Sequence, residues 1–146
     1  MARYTFEIDI AAPPEVVFDL WTNLDRMQEW IQGMTGVEER TGSVDAVGSR
    51  YLVRFGPVRS WTEVIEVDRP KVFATKFGNW YLRGRNRATL EPTGTGTKLT
   101  QVFQTEGIVP AITSWIWSRG SYRGSFRGEL EDFGRLAEAE ARSAGR

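Results

Sequence analysis

From Val37 to Thr105 the chain is a succession of short extended runs, each ended by glycine or proline, and this punctuation constrains the fold more than any other feature. Val37 to Thr41 stops at Gly42, Ser49 to Phe55 at Gly56-Pro57, and Val58 to Val67 at Asp68-Arg69-Pro70. Val72 to Phe77 stops at Gly78-Asn79, Trp80 to Leu90 at Pro92-Thr93-Gly94, and Thr97 to Thr105 at Gly107. Such runs predict an antiparallel meander.

The flanks differ in period. Tyr4, Phe6, Ile8 and Ile10 alternate with polar residues, so they line one face of a half-buried strand that Ala11-Ala12-Pro13-Pro14 ends. Proline suits the first position of a helix, and Val16, Val17, Leu20 and Trp21 follow at helical spacing. Asp25 and Gln28 form a capping-box-like start, and Met27, Trp30, Ile31 and Met34 then share one apolar face, closed by Gly33 and Gly36. Gly107 to Arg123 is ambiguous. From about Ser125 a helix runs to the tail through Phe126, Leu130, Phe133 and Ala137. The order is α+β: a curved sheet buries its concave face on one long helix, and a cavity between them is a natural by-product.

The length of 146 residues with 40% hydrophobic and 26% charged residues predicts a single domain over 1–146. Nineteen basic against nineteen acidic residues give no net charge, which disfavours nucleic acid as a partner. Without Cys or His there is no disulfide framework, thiolate nucleophile, His-based triad or ordinary zinc site. No apolar run nears the roughly 20 residues that a bilayer requires, so stable membrane insertion is not expected, and a soluble, cytoplasmic, bacterial protein is.

The chain resembles the START or birch-pollen-allergen-like helix-grip superfamily (SRPBCC), in its polyketide cyclase/dehydrase branch. The motifs are Ile10-Ala11-Ala12-Pro13-Pro14-Glu15-Val16-Val17-Phe18-Asp19-Leu20, then Asn23-Leu24-Asp25 with Trp30 after it. Val47-Gly48-Ser49-Arg50-Tyr51, Val64-Ile65-Glu66-Val67-Asp68-Arg69-Pro70 and Gly94-Thr95-Gly96-Thr97-Lys98-Leu99-Thr100 complete the set. The resemblance implies a helix-grip fold: about seven antiparallel strands wrapped around a long C-terminal helix, with two short helices after strand one. It also implies an elongated hydrophobic pocket and no cofactor. As a guide to function it is broad, since the superfamily holds lipid carriers, cyclases, receptors and chaperone activators.

On the long helix Trp115, Tyr122, Phe126, Phe133 and Ala137 fall in one stripe with Glu129 among them. A carboxylate facing an apolar cavity could act as a general acid or base or anchor a polar head group, with Tyr122 as a second proton-transfer candidate; alternatively Glu129 pairs with an arginine. Alternation places Trp80, Leu82, Gly84, Asn86, Ala88 and Leu90 on one sheet face and Tyr81, Arg83, Arg85 and Arg87 on the other, where the arginines form a solvated strip. Asn86 and Gln101 are then inward amides that bond each other or await a ligand. Tyr51, Val53 and Phe55 face in as well. The strand with Trp61 and Glu63 has contradictory parity, because Val64 and Ile65 are both apolar.

The Arg-Gly repeat from Arg119 to Gly128 reads as a loosened helix start with solvated arginines, as an anion-binding edge, or as a close helix contact at the glycines, which leaves a homodimer possible. The apolar segment 108–117, with Trp115 and Trp117, is a lid at the pocket mouth, ordinary packing on Trp30 and Met34, a shallow membrane-surface contact, or a docking site for another protein. Gly94 to Thr97 lacks the lysine of a phosphate loop and predicts a hairpin turn.

The leading expectation is binding of a hydrophobic or aromatic small molecule, polyketide- or lipid-like, by Trp30, Met34, Tyr51, Phe55, Trp80, Asn86, Gln101, Phe103, Trp115, Tyr122, Phe126 and Glu129. The alternatives are a cyclase or dehydratase using Glu129 or Tyr122, and a protein-binding module using 108–117.

Overall fold

Apolar alternation in β1 (Ala2–Ile10) buries Phe6 and Ile10 and half-buries Tyr4 and Ile8, so one face of this strand belongs to the core. The computed structural model describes residues 2–31, 34–78, 83–106 and 121–144. Pro14 opens α1 (Pro14–Trp21), where a missing N–H costs no hydrogen bond, and Val17, Phe18, Leu20 and Trp21 of this helix are buried. The Thr22 hydroxyl closes it by donating to the Phe18 carbonyl at 2.9 Å.

The next turn differs from the sequence expectation. It is a 3-10 helix, Leu24–Glu29, and its cap is Asn23, whose Oδ1 accepts from the Asp25 N–H at 3.1 Å. Asn23 captures the chain two positions before the expected Asp25 start. The coil ends before Trp30, so Met34 lies beyond it in the approach to β2, although Met27, Trp30 and Met34 are all buried.

The remaining strands are β2 (Gly36–Thr41), β3 (Arg50–Phe55), β4 (Val58–Asp68), β5 (Val72–Gly78), β6 (Arg83–Pro92) and β7 (Thr97–Glu106). Together with β1 they form one seven-stranded antiparallel sheet in the order β1-β7-β6-β5-β4-β3-β2. The meander is as expected, and β1 closes it by pairing along its whole length with β7, from Ala2 opposite Thr105 to Ile10 opposite Thr97.

Two details resolve or correct the expected inward faces. In β4 the register against β5 slips between Val64 and Glu66, so Ile65 is an extra residue. This bulge explains the contradictory parity: Thr62 and Val64 face the core before it, and Val67 packs on the core after it. Phe55, expected inside, is 38% exposed. It pairs with Val58 at the tip of the β3–β4 hairpin beside Gly56, beyond the reach of the layer that covers Tyr51 and Val53.

The long helix α2 (Ser121–Ala144) begins about one turn before the expected Ser125, so the second half of the Arg-Gly repeat is helical. Its buried stripe is Leu130, Phe133, Gly134 and Ala137. Gly134 sets the approach of α2 to β1, since a side chain built there would meet Ile8 at 3.4 Å and Ile10 at 3.6 Å. On the convex face Arg83, Arg85 and Arg87 are exposed. Arg87 reaches Glu66 through two nitrogens at 3.0 and 3.3 Å, across Ala74, which stands between them in the ladder. Among the described residues no helix is long and apolar enough to cross a membrane.

Candidate functional site

The register fixes which side chains share the concave wall. One row crosses Tyr4, Phe103, Asn86, Thr75 and Val64; its neighbours cross Phe6, Gln101, Ala88 and Phe73, and Thr105, Gly84, Phe77, Thr62 and Tyr51. Polar groups gather in the middle of these rows. Thr62, Thr75, Gln101 and Thr105 are buried, and Asn86 is half-buried.

The two amides meet: the Gln101 side-chain N–H donates to Asn86 Oδ1 at 3.1 Å. That bond leaves the Asn86 NH2 donors and the Gln101 carbonyl oxygen with no other hydrogen bond among the described residues. Beside them the Phe77 and Phe103 rings stack, with centroids 5.3 Å apart and planes 17° from parallel. Gly84 makes that possible, because a Cβ there would fall 2.5 Å from the Phe77 ring and 2.3 Å from the Gln104 carbonyl. Tyr51 is buried at the far end of the wall, and burial pushes its phenol above the usual range. At neutral pH it is therefore an uncharged donor or acceptor.

The other half of the wall is apolar and filled. Ile10, Leu90, Leu99, Ala88 and Phe73 pack in one core with Val17, Phe18 and Leu20 of α1 and with Leu130, Phe133 and Ala137 of α2. At the end of this core nearest the 3-10 helix, Trp21 stacks on Trp30 with centroids 4.9 Å apart, and Phe133 meets their edges at 5.0 and 4.9 Å. Trp30 is 6% exposed, and among the described residues its indole N–H has no acceptor. A groove of about 430 Å³ opens between β1 and α2, lined by Thr5, Phe6, Glu7, Ile8, Arg127, Leu130 and Glu131. It reaches Phe6, the direct ladder neighbour of Gln101.

The structure thus brings together Asn86, Gln101 and Phe103 on one stretch of wall, with Tyr51 farther along the same face, and sets Trp30 and Met34 in the adjoining core. Phe55 stands apart at the hairpin tip. Glu129 precedes buried Leu130 and is itself half-buried, on the flank of the helix stripe instead of within it. Trp80, Trp115, the segment 108–117 and the side chains of Tyr122 and Phe126 lie outside the described residues. Sequence reasoning passed over Thr62, Thr75 and Thr105, because threonine is an ordinary strand residue. It also passed over Phe77, although alternation from Phe73 would have turned Thr75 and Phe77 inward.

A curved antiparallel sheet gripping a C-terminal helix, with a mixed polar and aromatic inner wall, defines the helix-grip fold. The chain belongs to the polyketide cyclase / dehydrase and lipid transport family, which matches residues 1–138. Solved structures share the fold. A protein of Mesorhizobium loti is 21% identical, with a TM-score of 0.75 over 94% of this chain and 98% of its own. A protein of unknown function from Staphylococcus aureus is 11% identical, with a TM-score of 0.75 over 97% of this chain and 96% of its own. DynU16, a protein in the dynemicin biosynthetic locus, is 16% identical with a TM-score of 0.69, over 95% of this chain but 48% of its own. No curated protein matches the chain.

Proposed function

We propose that residues 1–146 form one domain that binds a hydrophobic or aromatic small molecule, polyketide- or lipid-like, between the concave wall and α2. The observation that carries this reading is the Gln101–Asn86 pair: two inward amides joined by a single 3.1 Å bond, beside stacked aromatic rings. A wall built only for stability would be apolar here, since amides that keep part of their hydrogen-bonding capacity unused lower stability. In a binding wall the same groups orient the polar end of a ligand. Affinity then comes from burying apolar ligand surface, at about 25 cal/mol per Å². The reading invokes neither cofactor nor nucleic acid.

The test is a titration of intrinsic tryptophan fluorescence with aromatic polyketides, fatty acids and sterols. A saturable change with the aromatic compounds is expected, weakened about tenfold in Gln101→Leu. No saturable change with any compound would overturn the proposal. The family description favours a second reading, a cyclase or dehydratase in which half-buried Glu129 moves a proton. Turnover of a bound polyketide, lost in Glu129→Gln with binding retained, would distinguish it from a carrier.

A further inference from the structure

Buried indole N–H groups almost always find an acceptor, because an unpartnered donor in the interior forfeits its hydration without replacement. Arg54 Nε, outside this core, also lacks a partner among the described residues, whereas two buried hydroxyls of the core obey the rule. The Thr22 hydroxyl donates to Phe18 at 2.9 Å and the Thr97 hydroxyl donates to Ala12 at 2.7 Å. Trp30 does not: it is 6% exposed, and among the described residues its Nε1 has no partner.

Its surroundings offer no substitute. Trp21 stacks against the ring, Phe133 meets it edge-on at 4.9 Å, and Met27 and Met34 belong to the same core. None of these side chains carries a good acceptor, and both methionines are flexible enough to shift around an incoming group. Tyr51 and Val53 of the concave wall belong to the same core, and the chain five residues after Trp30 is tied to their strand, where the Thr35 N–H donates to the Arg54 carbonyl at 2.8 Å.

We infer that the Trp30 indole N–H is a recognition donor for a ligand oxygen. The inference rests on the proposed binding reading and narrows it. The ligand class is one that places a carbonyl, ether or phenolic oxygen at the end of the space beside the 3-10 helix, while the Gln101–Asn86 pair meets polar groups nearer its middle. A plain hydrocarbon tail would leave the N–H unpartnered.

A matched pair of probes tests this: 2-acetylnaphthalene and 2-ethylnaphthalene have nearly the same shape, and only the first has an oxygen. By calorimetry the wild-type protein is expected to bind the ketone about tenfold more tightly, and Trp30→Phe to bind both equally, with hydrocarbon affinity changed less than about threefold. Since Trp30→Phe could perturb folding, a second readout uses the intact protein. Among the six indole N–H signals in a nitrogen-15 spectrum, the Trp30 signal should move downfield with the ketone and not with the hydrocarbon. Equal wild-type affinity for the two probes, a ketone preference that survives in Trp30→Phe, or a stationary Trp30 signal would overturn the inference while leaving the binding reading intact. Failure of the wild-type protein to bind either probe, together with the whole fluorescence panel, would remove the reading itself.

Discussion

The two halves of the concave wall are made from the same strands yet are built to opposite rules. Where β6 and β7 approach α1, the inward residues are Leu90 and Leu99, both essentially inaccessible and covered by helices. A few residues along the same strands the inward positions are Asn86, Gln101 and Thr105, faced from β5 by Thr75. The first half behaves as ordinary core, with apolar side chains buried against the helices. The second keeps amides and hydroxyls where aliphatic side chains would fit. The comparison teaches that burial alone does not separate scaffold from site; the kind of atom buried does.

The largest effect should come from the filled half. Phe133→Ala removes a fully buried ring that touches Trp21 and Trp30, and is expected to cost about 3–5 kcal/mol in urea unfolding. A loss below about 1 kcal/mol would mean that this half is not the core of the domain. Next is Gly96→Ala in the β6–β7 turn. Its Cβ would fall 2.0 Å from the Ile10 carbonyl and 2.9 Å from the Ala12 N–H, and the backbone shift needed should cost about 1–3 kcal/mol.

In the polar half the expected pattern is different. Gln101→Leu strands the Asn86 amide and should cost about 1–2 kcal/mol, whereas the double change with Asn86→Leu should recover most of it while binding stays weakened. A double variant as unstable as the sum of its singles would show that the two amides are not coupled. The smallest effect lies on the convex face. Arg87 beside it holds the Glu66 carboxyl below the usual carboxylate range, so the pair's contribution is complete at neutral pH and fades as pH falls through the lowered value. Both side chains are about half exposed, so Glu66→Gln should cost less than about 1 kcal/mol, and less still in high salt.

Much of this architecture is legible in the sequence because period-two alternation survives wherever strands are regular. Gly84, Asn86, Ala88 and Leu90 are read inward from β6 alone, and the order of elements gives the α+β class. Three failures have distinct physical causes. In β4 a single extra residue reverses the alternation, so no one parity fits the strand. Phe55 has the inward parity but no layer above it, and cover is a tertiary property that its neighbours in sequence do not report. The 3-10 helix is capped by Asn23 and not by Asp25 because two capping residues two positions apart compete and local spacing does not choose between them. The site is less legible than the fold. Asn86 and Gln101 stand out as polar residues on apolar faces, but the threonines beside them look like ordinary strand formers, and the unpartnered donor on Trp30 exists only in three dimensions.

The extra residue at Ile65 divides β4 into two reading frames, one for Thr62 and Val64 and another for Val67. Each frame is meaningful only while the other is held fixed by its own neighbours. A deletion at Ile65 would therefore do more than shorten a strand: it would force either Val67 or the pair Thr62 and Val64 to exchange core for water. The bulge works as a clutch between two sections of the sheet, and it lets them be edited independently only so long as the count of residues through it is kept.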